Sequence, residues 1–364
     1  MLTARTTSAF FYLLQAGLWE EENTLSPVFP LNLQEWEFLY RQSMEQTVEG
    51  IIYDGLQRLP IHQQPPRDLL LKWLVRIEHI ERRNTWMNMI IGQQVQFFAN
   101  HQIDIVLLKG QGLAQYYPKP LHRICGDIDW YFPMEKMYDK ANQLILDQGL
   151  NLSYTAGYSS NYIWNTCDVE HHQRLFDLHN PFCKNFLKKL EKKEQKNKTS
   201  KQINGVSLPI PAPLINVLQV NSHILKHLLS FGIGMRQLCD AAILYYALKK
   251  EINGMALQRI YRKLGIEKWV DQLHHVLVHY IGLPQEDLPY ALSQQSADWM
   301  MEDILLSGNF GFHDERYRQA EEQNKGNRVQ VKKRLWNRFT TYFPYAPIEA
   351  ISFPIVQFLS RFSR

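Results

Sequence analysis

The chain has 364 residues, 45% hydrophobic and 12% aromatic, enough to bury a sizeable core and to exclude intrinsic disorder. A formal net charge of +4 with 21% charged residues makes it mildly basic, which excludes a dedicated nucleic-acid coat and leaves small anionic substrates open. The four cysteines, Cys125, Cys167, Cys183 and Cys239, show no C-x-x-C spacing, so neither a zinc knuckle nor a disulfide scaffold is indicated and a reducing, cytoplasmic setting is expected.

The N-terminal segment carries one short apolar run of helical spacing that soon meets Glu20, Glu21 and Glu22, unlike a secretory leader, and no stretch reaches the length of a membrane span. LNLQEWEFLYRQSMEQTVEGIIYDGL and PPRDLLLKWLVRIEHIERRNTWMNMIIGQQVQFFANHQ place large apolar residues three and four apart, which predicts helices up to residue 102. The pattern changes at Ile103. IDIVLL reads as a strand running into a Lys109-Gly110 turn, QGLAQYY as a short helix, and RICGDIDWYF as a second strand. A helix after Pro133 follows, with Gly149 as its C-cap. Beyond Tyr154 the chain reads as loop-rich up to RLFDLHN, whose alternation predicts a strand with Asp177 on its polar side. Residues 188–202 hold seven lysines against two glutamates and read as a solvated loop or frayed helix end, with attraction of a polyanion as the other reading. From Pro209 onward helical spacing returns. The expected organisation is therefore a helical region over 1–102, an α/β core over 103–208 and a helical domain over 209–364.

Period-two alternation puts Asp127 and Asp129 of D-I-D on one face of a strand. Two neighbouring carboxylates inside an apolar strand are costly unless a cation pairs with them, and hard oxygen ligands suit Mg²⁺. A third acid from a neighbouring strand would complete a site for in-line displacement; Asp177 is the candidate and Glu170 the reserve. Lys109, Gly110 and Arg123 are candidate nucleotide-binding residues: the turn brings backbone N–H groups and positive charge to where phosphates can lie. His179, Arg236 and Asp240 are candidates on the acceptor side. Arg236 and Asp240, at i and i+4 on one helix, can also simply pair with each other, and Arg123 with Asp127 or Asp129. His171 and His172 are open to metal or general-base roles. His223 and His227 share the i, i+4 spacing but lack the H-E-x-x-H context of a zinc site. The basic, aromatic C-terminal segment from Val331 reads as packing onto the body, with membrane-surface or RNA contact as alternatives.

The run L-K-G-x-x-L-A-x-x-Y-Y-P followed by R-x-x-G-D-I-D, together with FDLHNPF and HLLSFGIGMRQLCDAAILYY, closely resembles the uncharacterised nucleotidyltransferase family of the DNA polymerase β-like superfamily, whose members are mainly bacterial. The resemblance spans roughly residues 30 to 360 and implies an α+β fold with a small mixed sheet flanked by helical regions. It further implies Mg²⁺-dependent transfer of an NMP group from an NTP to an acceptor, with Asp127, Asp129 and Asp177 as the metal-binding, catalytic acids. One departure stands out: the family's turn usually follows its glycine with a small residue, whereas here Gln111 follows Gly110, and the interval to Asp127 is long. A relative that binds a nucleotide or a partner without turnover is the alternative reading, and a metal-dependent phosphohydrolase a second. The acceptor stays open: sugar phosphate, antibiotic, tRNA end and protein side chain are all compatible.

Overall fold

In the computed structural model, the described residues are 4–20, 27–155, 159–197, 199–314, 316 and 328–359. Helix α1 (Ala4–Trp19) buries Phe10, Leu13, Leu14 and Leu18 against α3 (Glu49–Leu56). The two backbones touch through glycines: a Cβ on Gly17 would sit 1.9 Å from the Ile51 carbonyl oxygen, and one on Gly55 2.0 Å from that of Leu13. Between them, α2 (Leu33–Glu45) starts at a capping box, with the Glu35 N–H donating to Asn32 Oδ1 and the Asn32 N–H to Glu35 Oε2.

Helix α4 (Arg67–Asn100) joins two cores. Its first half, through Leu69, Trp73, Ile77 and Ile80, belongs to the core shared by α1–α3 and the C-terminal helices. Its second half, through Met87, Ile90, Ile91 and Phe98, packs on the sheet. That sheet has five strands, β1 (Val106–Leu108), β2 (Asp127–Tyr131), β3 (Ser153–Thr155), β4 (Ser159–Trp164) and β5 (Cys167–His172), in the order β1-β2-β5-β4-β3. β2 and β5 run parallel while every other pair is antiparallel, so the fold is α+β with a mixed sheet, as expected. A parallel neighbour requires a crossover, here supplied by α6 (Glu135–Asp147) and the β3–β4 hairpin.

Side-chain alternation sorts the two faces of β2: Ile128 and Trp130 join the core with α4 and α6, while Asp127, Asp129 and Tyr131 face the other way. On that second side lies α8 (Pro213–Ser230), buried through most of its circumference, followed by α9 (Met235–Leu248), α10 (Gly254–Leu264), α11 (Glu267–His279), α12 (Asp298–Ser307), α13 (Arg328–Tyr342) and α14 (Pro347–Leu359). Two expectations change. The lysine-rich stretch is ordered structure: it forms α7 (Lys184–Glu194), seated by Leu187 and Leu190, and β6 (Thr199–Ile203), which pairs with β7 (Val206–Ile210). RLFDLHN forms no strand, and the strand that pairs with β2 is β5, just before it. Among the described residues no helix is long and apolar enough to cross a membrane.

Candidate active site

The parallel register sets Asp127 opposite Asp168 and Asp129 opposite Glu170. Cross-strand partners share a face, so four carboxylates gather on the side of the sheet turned to α8. Asp129 is buried, with 2% of its surface exposed, whereas Asp127 and Asp168 are exposed and Glu170 is half-buried. Single ligand atoms of Asp129, Glu170 and His172 lie within 4.8 Å of one another, a spacing compatible with one metal ion. His172 Nε2 lies 2.7 Å from Asp129 Oδ1 and 3.6 Å from Glu170 Oε2. An ionised carboxylate only accepts, so Nε2 donates to Asp129 and orients it, leaving the carboxylates as the hard oxygen donors.

Charge at this spot is unevenly compensated. Like-charge repulsion from Asp129 pushes the Asp127 carboxyl up to about 6. Burial acts the same way on Asp129, but Lys109 and the hydrogen bond from His172 outweigh it and hold that carboxyl well below the usual range. One acid of the pair is thus satisfied and the other is not, which is the imbalance a divalent cation removes. Carboxylate oxygens are the hard donors that suit Mg²⁺.

The Lys109-Gly110 turn delivers the principal cation. Lys109 has φ 46° and ψ −141°, a strained backbone for a residue with a side chain, and Gly110 follows at φ 42°. This puts Lys109 Nζ 3.3 Å from Asp129 Oδ1. Burial disfavours its charge, yet Asp129, Asp177, Glu170 and Asp127 together raise its pKa above the ordinary lysine value. The helix after the turn, α5 (Gly110–Ala114), is a single short turn, so the side chain carries the positive charge. Gln111, the departure from the family pattern, points away from the acids. Its Nε2 donates to Asn84 Oδ1 (3.0 Å), and Asn84 Nδ2 donates to the carbonyls of Leu121 and Arg123 at 2.7 and 2.9 Å, so the amide pair ties α4 to the segment leading into β2.

Arg123 and Asp240 form a buried bidentate pair, Nε to Oδ1 at 2.8 Å and Nη2 to Oδ2 at 2.6 Å, with the Tyr117 hydroxyl donating to Oδ1 at 2.6 Å. This corrects two expectations: Asp240 pairs with Arg123 and not with Arg236, and Arg123 is committed to Asp240 and not to Asp127 or Asp129. Arg236 Nη1 donates to the Ile124 carbonyl at 2.7 Å, and its Nε is buried without a partner. Burial, then the neighbouring Arg123 charge, lowers its pKa.

Asp177 lies in the coil after β5, where it accepts from His223 Nδ1 (2.8 Å) and Lys226 Nζ (2.9 Å). Both of its oxygens are engaged, and the acid facing Asp129 is the reserve, Glu170. Burial and the Lys109 charge hold the His223 imidazole down to about 4. His179 is buried away from the acids; its ring and backbone N–H bond Glu349 of α14, which also accepts the Asn180 N–H at 2.9 Å. His171 lies in the core, bonded to Tyr162 and Asn142, and burial holds it down to about 3. The rings of His223 and His227 lie 4.3 Å apart, and among the described residues they join no metal-ligand cluster.

A cavity of about 430 Å³ between the sheet and α8–α9 collects these groups. Lys109, Gly110, Arg123, Asp127, Asp129, Asp168, Glu170, His223, Lys226, Arg236 and Asp240 line it, with His227 and Phe310 at an aromatic end. Lys226 and Asp168 were not singled out in the sequence because neither belongs to a motif; for Asp168 the signal available was the alternation of Cys167 and Val169 with Asp168 and Glu170.

No curated protein matches the chain. Among solved structures it is similar to an antigenic nucleotidyltransferase-like protein from Paracoccidioides brasiliensis, with 12% identity over 54% of this chain and 92% of that one, at a TM-score of 0.33. The family described as uncharacterised nucleotidyltransferase matches residues 32–282, which include the Lys-Gly turn, the D-I-D strand, β5 and α9, and the chain belongs to that family.

Proposed function

We propose that the protein is a Mg²⁺-dependent nucleotidyltransferase that moves an NMP group from an NTP to an acceptor and releases pyrophosphate. The observation that carries the reading is the facing of the D-I-D pair by Glu170 across parallel strands, in a cavity that also holds Lys109 and Arg236. Asp127, Asp129 and Glu170 hold the metal, whose contribution is to neutralise the acids and the phosphate oxygens. Lys109 and Arg236 bind the triphosphate and offset the charge that grows on pyrophosphate as it leaves. The acceptor oxygen bonds to the α-phosphorus, the bond from that phosphorus to the bridging oxygen breaks, and Glu170 takes the acceptor proton. Asp177 acts one step back, fixing His223 and Lys226 on the cavity wall. Gln111, turned towards Asn84, does not line the cavity.

The test is transfer of label from α-³²P NTPs in cell extract with Mg²⁺, together with calorimetry of Mg·NTP. Asp127→Asn and Asp129→Asn should each abolish transfer with the far-UV spectrum unchanged. Full activity in both variants would refute the reading.

A further inference from the structure

A second cavity, of about 690 Å³, opens on the far side of the same acids. It shares Asp127, Asp168 and Glu170 with the first, then extends over β4 and β3. The two differ in charge: the first is lined by Lys109, Lys226 and Arg236, whereas the described residues lining the second include no Lys, Arg or His. An NTP, with its triphosphate, belongs in the cationic cavity; the second faces the same acids from the opposite side.

Strand register shows what this second surface offers. Asp129 pairs with Glu170, Glu170 with Asn161, and Asn161 with Ser153, so one transverse row across β2, β5, β4 and β3 reads Asp, Glu, Asn, Ser. Cross-strand partners lie side by side on one face, so the row runs from the metal acids out along the second cavity. Asn161 Oδ1 is buried with no hydrogen-bond partner among the described residues, and Asn151 adds a further amide on the wall. Leu152 and the exposed Ile163 supply apolar surface beside these groups.

We propose that this second cavity is the acceptor site and that it takes a neutral, hydroxyl-rich molecule of the carbohydrate type. Amide and hydroxyl side chains match sugar hydroxyls as both donors and acceptors, and the aliphatic wall matches the C–H face of a ring. A phosphate or carboxylate on the acceptor would find no Lys, Arg or His among the described residues of this wall to receive it. The row ends at Glu170, so a hydroxyl seated on Asn161 has its attacking oxygen beside the group that takes its proton. Bond changes are those given above: oxygen to α-phosphorus forms, α-phosphorus to bridging oxygen breaks, and the electron pair leaves with pyrophosphate. Asn161 and Ser153 are positioning residues for the acceptor.

The proposal rests on the transferase reading, and the experiment separates the two. Transfer from α-³²P NTPs with Mg²⁺ is measured against a pool of neutral mono- and disaccharides and polyols and a matched pool of their phosphate esters, while Mg·ATP affinity is followed by calorimetry. The expected result is at least ten-fold more label in the neutral pool, with Asn161→Lys lowering that transfer at least ten-fold, Ser153→Ala lowering it less, and Mg·ATP affinity within two-fold of wild type in both. Equal or greater labelling of phosphate esters, labelling of neither pool despite Mg·ATP binding, or an unchanged rate in Asn161→Lys would overturn the acceptor assignment. Absence of Mg·ATP binding in the wild type would instead remove the transferase reading beneath it.

Discussion

Replacing Asp240 by Ala tests whether the site is built on a buried ion pair. Arg123 and Asp240 are each only 5% exposed, and their two bonds of 2.8 and 2.6 Å leave the guanidinium with just the Ile124 carbonyl and Cys125 Sγ as further partners. Removing one partner strands a charge without solvent, which costs about 3–5 kcal/mol, a large share of the roughly 5–15 kcal/mol that keeps a typical domain folded. The Tyr117 hydroxyl loses its acceptor as well. Urea unfolding followed by circular dichroism should show a loss in this range for Asp240→Ala, while Arg123→Met combined with Asp240→Leu, which leaves no unpaired charge, should recover much of it. A loss below about 1 kcal/mol in Asp240→Ala, or a double variant weaker than the sum of the singles, would refute the reasoning.

Glu170→Gln should reduce nucleotidyl transfer by at least about 100-fold, the range for a lost general base, whereas Asp177→Asn should reduce it far less and chiefly through a raised KM; a rate assay on both variants decides which acid is the third. His274 is fully buried beside Tyr245, and burial holds its imidazole down to about 3. Its folded pKa lies below the unfolded value of about 6.5, so the unfolded state binds the proton first. Stability is complete above that unfolded value and falls by about 1.4 kcal/mol per pH unit towards the folded one. Unfolding at pH 7, 6 and 5 should therefore show a shallower acid loss in His274→Asn than in wild type. Gly17→Val, which drives a side chain into the Ile51 carbonyl, should cost at least about 2 kcal/mol in the same assay.

The helical flanks and the first two strands were legible because their spacing is strong: Trp36 and Leu39, or Ile128 and Trp130, repeat at one period and sit in cores. The D-I-D pair was legible for the same reason. The acid that faces the pair across the sheet, Glu170, was legible only as a reserve, because two competing signals favoured Asp177. RLFDLHN alternates like a strand, but Glu349 draws the His179 and Asn180 N–H groups out of any ladder, and His223 with Lys226 engages Asp177. The true neighbour, Cys167–His172, carries Asp168, Glu170 and His172 on one face and buries His171 on the other, so a polar residue occupies an apolar position and the alternation is obscured. Likewise Arg236 and Asp240 sit four apart on α9, yet a sequence cannot show that Arg123, over a hundred residues away, meets Asp240 first. The lysine run hid Leu187 and Leu190, a narrow stripe that nonetheless seats a helix.

A crystal grown with Mn²⁺ and a non-hydrolysable ATP analogue tests the central claim most directly. Anomalous density touching the carboxylates of Asp127, Asp129 and Glu170, with the analogue's phosphates against Lys109 and Arg236, is the predicted result. A metal peak at Asp177 without Glu170, or an analogue bound with no metal at the D-I-D strand, would contradict it.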